Sequence, residues 1–286
     1  MKLINGILNK FNTKHDKERF DQVFEHLYKV YPDGVDPWGL NLKKARKSIE
    51  FIWPVYKHYF KTRIFGKENV QDEAYMIVSN HSGQIAIDGV LISTAFAMEI
   101  DPPRILRSMV ERFFTGIPFV GYWAAEGGAV LGDRQNCLNL LKKNQSVLVF
   151  PEGVRGVSKS TPDFYKVQPF TKGFYRLARN AKVKILPIGV VGAEEFYPMV
   201  YQAHGVAKSL GLPALPISPN LVPLPSPVDI HIGKPYEIPA DIDQSASEEV
   251  INKEVIKVTN MIKDLVENGL KQRREFWGTS KNGNIK

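Results

Sequence analysis

Apolar positions along this chain keep a helical period at both ends and a strand-like period in the middle. Residues 1 to about 40 read as short amphipathic helices ending in the loop Pro32-Asp33-Gly34-Val35-Asp36-Pro37-Trp38-Gly39, whose prolines and glycines punctuate a helix. A helix from about residue 40 to 63 follows, interrupted at Pro54, which lacks the N–H donor that a helix interior needs. The period then shortens. Tyr75-Met76-Ile77-Val78 is a brief apolar run of the kind found in a buried strand, and Asp88-Gly89 leads into a helical stretch over residues 90–98. Strands at 104–110, 147–150 and 183–191 alternate with helices at 135–143 and 172–180. One amphipathic helix, about 247–276, closes the chain with a basic end at Lys271, Arg273 and Arg274.

Short strands alternating with helices predict an α/β fold with a mostly parallel central sheet flanked by helices, preceded by N-terminal amphipathic helices. The segments expected are 1–68 as an N-terminal helical membrane-association region, 69–240 as the α/β core, and 241–286 as a C-terminal helix packed on it. Parallel sheets place ligands at the carboxyl ends of their strands. Asn80-His81 and Pro151-Glu152-Gly153 each follow directly on a strand, which makes them site candidates. The stretch 210–228 carries six prolines yet is apolar, so it forms an irregular loop that covers the core or lines a channel, the first reading being favoured.

Composition narrows the class. The chain of 286 residues suffices for one substantial domain, and an apolar share of 43% excludes wholesale disorder. Cys137 is the only cysteine, so no internal disulfide framework exists, which fits a reducing, cytoplasmic compartment. Its place among Leu138, Leu140 and Leu141 predicts a buried, inert thiol. A net charge of +8 favours an acidic partner: nucleic acid, an anionic membrane face, or a phosphorylated or CoA-linked substrate. The basic residues match no nucleic-acid-binding module, so nucleic acid ranks last. Between residues 43 and 67, eight cations face the single acid Glu50 and are mixed with Phe51, Trp53, Tyr56, Tyr59 and Phe60. That mixture suits a helix lying in a membrane interface, or equally a core-packing helix with a solvated face. No run reaches the ~20 apolar residues of a membrane span. The expected location is therefore peripheral, on the cytoplasmic face of a membrane.

Candidate chemistry begins at Ser79-Asn80-His81-Ser82-Gly83-Gln84-Ile85-Ala86-Ile87-Asp88-Gly89. An imidazole just past a buried strand can take a proton from a hydroxyl at neutral pH, and a carboxylate would fix its tautomer. Asp88 is the candidate carboxylate. In one continuous helix seven residues would advance roughly 10.5 Å, too far for contact, so the pair requires the intervening residues to loop back. Gly83 permits that bend. The competing reading makes Asp88 the N-cap of the next helix and His81 an ordinary polar residue. In Phe150-Pro151-Glu152-Gly153-Val154-Arg155-Gly156, a glycine turn and a fixed cation suit phosphate, or else form a plain strand-to-loop turn with a solvated ion pair. Gly128-Ala129-Val130-Leu131-Gly132-Asp133-Arg134 adds another arginine beside a glycine-bounded apolar stretch. Asp229 and His231 alternate on a strand without further metal-spaced partners, so no metal site is read. His26, His58 and His204 stand alone.

Taken in order, these three blocks, together with Leu186-Pro187-Ile188-Gly189, resemble the motifs of the glycerolipid acyltransferase family, the group that includes lysophosphatidic acid acyltransferases. The likeness runs from about residue 75 to 191, with looser support from Phe170-x-Lys172-Gly173 and Ile232-Gly233-Lys234-Pro235. One departure stands out. The family motif has four residues between histidine and aspartate; here six intervene, and Ala86 occupies the acidic position. The chain is similar to divergent members with longer spacings.

The resemblance implies acyl transfer from acyl-CoA or acyl-carrier protein, with no other cofactor, to a hydroxyl of a glycerolipid or lysophospholipid. His81 would be the general base and Asp88 its orienting partner. Arg134 and Arg155 would bind phosphate, supported by Glu152 and Gly153, and the turns at Gly83 or Gly153 would offer oxyanion donors. Phe113-Phe114 and residues 119–123 would line an acyl channel, core packing being the default for most of them. The alternatives are a thioester hydrolase and a non-catalytic lipid-binding protein on the same fold.

Overall fold

A computed structural model describes residues 11–83, 85–112, 119–203, 216–243, 245–275 and 278–279. Helix α1, Lys14–Val30, is capped by a reciprocal pair: the Thr13 hydroxyl accepts from the Asp16 amide while the Asp16 carboxylate accepts from the Thr13 amide. Helix α2, Leu42–Pro54, starts on the Asn41 side chain and continues past Pro54 as a π-helical turn, Val55–Tyr59. The interruption expected at Pro54 is thus a change of helical pitch.

The sheet has seven strands: β1 Arg63–Phe65, β2 Tyr75–Ser79, β3 Arg107–Val110, β4 Val130–Leu131, β5 Val147–Val149, β6 Lys184–Val191 and, after a short antiparallel pair of β7 Tyr201–Gln202 with β8 Pro216–Ile217, β9 Asp229–Ile232. Their spatial order is β1-β9-β6-β2-β5-β3-β4. Every neighbouring pair is parallel except β6 with β9. Strand β2 is central, with Ile77 opposite Leu148 of β5 and Leu186 of β6. The carboxyl ends of β5, β2 and β6 therefore lie side by side.

The helices between these strands are α3 Ile87–Met98, α4 Val120–Glu126, α5 Arg134–Lys142, the short α6 Val154–Val157, and α7 Gly173–Ala181; α8, Glu248–Gln272, follows the sheet. Successive residues of a strand face opposite sides. Tyr75 and Ile77 thus join α1, α2 and α3 in one core cluster, while Met76 and Val78 join α5, α7 and α8 in the other.

Three expectations change. The sheet takes its edge strand β1 from residues 63–65, so the boundary at 68 cuts through the sheet. The aromatics of residues 43–67 point largely inward, with Trp53, Tyr56 and Phe60 buried, and most of the cations there pair with acids of other segments. In the proline-rich stretch, residues 210–215 lie outside the described residues; Leu221 and Val222 are 94% and 66% exposed, while Asn220 and Leu224 bond the backbone of the buried Phe196 and Val228 joins the core, so the loop covers the core in part. Prolines keep residues 219–227 out of the seven-stranded sheet, which leaves Leu221 and Val222 outward. No helix of the described residues is long and apolar enough to cross a membrane.

Candidate active site

Strand β2 stops pairing with β6 at Ser79, opposite Ile188. The next residue carries the ladder on with its side chain: the Asn80 amide donates to Val190 O at 3.0 Å and accepts from Val190 N at 2.8 Å. Its own backbone is thereby released to turn away from the sheet at His81. Gly83, at φ +77°, makes the bend, and its α-carbon backs onto the turn after β6, where an added methyl would stand 3.1 Å from Ala193 O. Helix α3 begins at Ile87, so Asp88 lies in its first turn and is not the cap, a position held by Ala86.

The loop brings the pair together. His81 Nδ1 lies 2.8 Å from Asp88 Oδ2, and Asp88 is fully buried. The Ser82 amide donates to the same oxygen at 2.8 Å and the Gly89 amide donates to Oδ1 at 2.7 Å. With Nδ1 held by the carboxylate, Nε2 is the nitrogen left for substrate. Phe150, at the end of β5, stacks on the imidazole at 4.1 Å between centroids and 17° between planes, which limits ring rotation and shields one face from water.

Glu152 acts from beneath. Its Oε1 accepts from the His81 amide at 2.8 Å and its Oε2 from the Gln168 amide at 2.7 Å. Burial raises its pKa, opposed by Lys159 and by those two amides. Gly156 explains the second glycine of the block: a β-carbon there would sit 2.6 Å from His81 Cβ.

The other predicted residues are placed less centrally. Gly153 takes φ +59°, and its amide donates to Phe150 O at 3.0 Å, so the oxyanion donor expected there is spent inside the turn. Arg155 is exposed and fastened to backbone, with Nη2 2.7 Å from Pro169 O. Arg134 opens α5 after Asp133, whose carboxylate accepts from the Asn136 amide. With Phe150, Pro151, Thr171 and Leu177 it lines a cavity of ≈ 190 Å³ beside the Glu152 turn. Phe119 and Tyr122 are 87% and 81% exposed, so core packing does not hold for α4; Phe113-Phe114 and His204 lie outside the described residues. Cys137 is buried, and burial pushes its thiol up to about 12. Asp229 accepts both arms of Arg63 at 2.6 Å, and His231 stacks on Phe65.

Sequence reading missed Lys159 and Glu194. Both are buried polar residues next to the site, and only the pairing of strand ends reveals them.

Residues 61–191 match the family model described as Acyltransferase. Among relatives, the chain is 33% identical over 218 residues to an uncharacterized protein of Mycobacterium tuberculosis, covering 73% of this chain and 60% of that protein's length. It is 29% identical over 139 residues to a 1-acyl-sn-glycerol-3-phosphate acyltransferase of Saccharomyces cerevisiae, covering 45% of this chain and 42% of the relative. The fold matches the crystal structure of the 1-acyl-sn-glycerophosphate (LPA) acyltransferase PlsC of Thermotoga maritima, with a TM-score of 0.51, 19% identity, and coverage of 93% of this chain and 97% of that one. Residues 61–191 of the chain form an acyltransferase-family domain.

Proposed function

We propose that this protein transfers a fatty acyl group from acyl-CoA or acyl-carrier protein to a hydroxyl of a glycerolipid or lysophospholipid, with His81 as general base. The observation that carries the reading is the 2.8 Å contact of His81 Nδ1 with a fully buried carboxylate, achieved across six intervening residues. The acceptor hydroxyl gives its proton to Nε2 as its oxygen attacks the thioester carbonyl. Asp88 stabilises the imidazolium that results. Collapse of the tetrahedral intermediate breaks the C–S bond, and the departing thiolate recovers the proton from His81. No acyl-enzyme is needed. Backbone amides of the turn at Gly83 are the candidates to meet the oxyanion. Arg134 and Arg155 supply cations for phosphate on acceptor or carrier, with Glu152 supporting them.

Contact with an anionic membrane, from its cytoplasmic face, fits two surfaces. Lys43 and Lys47 are exposed on α2. Met199, Tyr201, Ile217, Leu221 and Val222 form an exposed apolar rim, which the Tyr59 hydroxyl ties to α2's end through Pro223 O at 2.7 Å. Exposed apolar side chains and exposed cations are the two elements an interfacial surface uses.

The test is incubation of purified protein with labelled acyl-CoA or acyl-carrier protein and a panel of lysolipids, glycerol phosphate and neutral alcohols. An acylated lipid should form, and His81→Ala should abolish it while the variant stays folded. Undiminished turnover by that variant would end the general-base assignment; free fatty acid despite abundant acceptor would mark a hydrolase.

A further inference from the structure

Beneath the His81 loop lies a buried group of charges, of which the proposed reaction uses Glu152 alone. Glu152, Lys159 and Glu194 are 2%, 5% and 1% exposed. Lys159 Nζ stands 2.6 Å from Glu194 Oε1 and 3.8 Å from Glu152 Oε2. Glu194 sits on the 3₁₀ turn Ala193–Phe196 that directly follows β6, and its Oε2 accepts from the Tyr165 amide. One ammonium is thus shared between two carboxylates from the segments that follow β5 and β6, the strands on either side of β2.

Taking a carboxylate out of water favours its neutral form. Burial raises the pKa of both glutamates, and in both the charge of Lys159 opposes it. The ionisation of Glu152 matters because its two oxygens accept two backbone amides, one of them from His81. A protonated Glu152 presents one oxygen as a hydroxyl donor, and an amide facing it loses its acceptor. The loop that aims the imidazole would then lose its floor. Other titratable groups around Glu152 are His81 and Asp88 above it, Arg155 on its own turn, and Glu111 on the far side of Gly153. Tyr165, Glu195 and Arg273 form the next layer, joined by Tyr165–Glu195 and Arg273–Glu195 bonds.

We propose that Lys159 is a positioning residue for acyl transfer: held by Glu194, it keeps Glu152 ionised so that the His81 backbone stays fixed beneath the acceptor. The kinetic part of this proposal rests on the acyl-transfer reading; the electrostatic part does not.

The His81 amide reports Glu152 directly. In the full chain labelled with ¹⁵N-histidine, that amide proton should titrate with Glu152; His81→Gln identifies the resonance, and Glu152→Gln removes the step, separating it from ionisation of the imidazole. Lys159→Met should raise the midpoint by about one pH unit or more, and Glu194→Gln, which removes the competing carboxylate, should lower it. Lys159→Arg should keep the wild-type midpoint. In turnover, Lys159→Met should lower kcat near neutrality by about 10- to 100-fold at nearly unchanged KM, with the acid limb of kcat displaced to higher pH.

An unmoved amide midpoint in Lys159→Met overturns the proposal, as does a moved midpoint with an unmoved acid limb. If Lys159→Met does not fold, Glu194→Gln decides: a midpoint that fails to fall refutes the shared ammonium. Wild-type protein without turnover on any donor and acceptor overturns the acyl-transfer reading and leaves the amide titration readable.

Discussion

Two ion pairs in this molecule look alike on paper and differ in what they can do. Arg107 Nη1 lies 2.7 Å from Asp36 Oδ2, and His81 Nδ1 lies 2.8 Å from Asp88 Oδ2. In each, the basic group belongs to a strand of the sheet or the residues just beyond it, and the acid comes from a loop or helix start. Arg107 is sealed, with no exposed surface, Trp38 stands over its guanidinium, and the Tyr31 hydroxyl lies beside it. A guanidinium does not give up its proton at any pH a protein meets. His81 keeps 12% of its side chain exposed, and only its Nδ1 is turned to the carboxylate. Pairing and burial therefore do not mark a catalytic group. What separates the two is a second ring nitrogen turned away from the carboxylate, on a side chain that keeps part of its surface open.

Exchanging the readouts of the two pairs tests this distinction. Asp88→Asn should lower kcat by about 10²–10⁴-fold, because the ring loses its tautomer control and the imidazolium its counter-charge, while circular dichroism shows an intact fold. A loss confined to stability would place Asp88 with the structural pairs. Arg107→Met should do the reverse. It leaves Asp36 without its cation, and Asp36 also fixes the loop before α2 through the Trp38 and Leu40 amides. Urea unfolding should show a loss of about 3–5 kcal/mol, with turnover per folded molecule nearly unchanged. A large kcat effect in fully folded Arg107→Met would show that the two pairs are coupled.

The same contrast explains how much could be read from the chain. Strand–helix alternation was legible because β2, β5 and β6 are apolar runs bounded by polar turns, and the His81 and Glu152 blocks showed themselves by following such runs. The bend that joins His81 to Asp88 was conditional on Gly83, and the positive φ there supplies it. Lys159 and Glu194 were not legible. They are 35 residues apart, and only the order β6-β2-β5 brings their segments under His81. The aromatic run of α2 and its π turn left two readings open. Its composition suits a membrane, yet its aromatics meet α1 and α3, and composition does not say which neighbour a face will find. Neither could composition show that Phe119 and Tyr122 would remain outside.

A third carboxylate lies between the two extremes and should give the smallest effect. Asp16 is buried and accepts from Lys57 at 2.7 Å on both oxygens, from Trp53 Nε1 at 2.7 Å, and from the Thr13 amide and hydroxyl at 2.8 Å. Burial alone would raise its pKa, but Lys57, Trp53 and Thr13 together outweigh it and hold the carboxyl well below the usual aspartate range. A carboxyl held low in the folded state contributes stability that is complete above its unfolded value of about 3.9 and fades as pH falls through that value towards the folded one. Glu152 and Glu194 carry the opposite sign, since burial raises both, and their contribution weakens as pH rises above the ordinary glutamate value. Those two act equally in wild type and Asp16→Asn, so the difference between the proteins isolates Asp16. Urea unfolding should find the variant less stable by about 1–3 kcal/mol at pH 7, the range for hydrogen bonds to a charged group. The gap should hold down to about pH 5 and narrow below about pH 4. A gap that stays constant into acid would mean that the neutral hydrogen bonds, and not the charge shared with Lys57, tie α1 to α2.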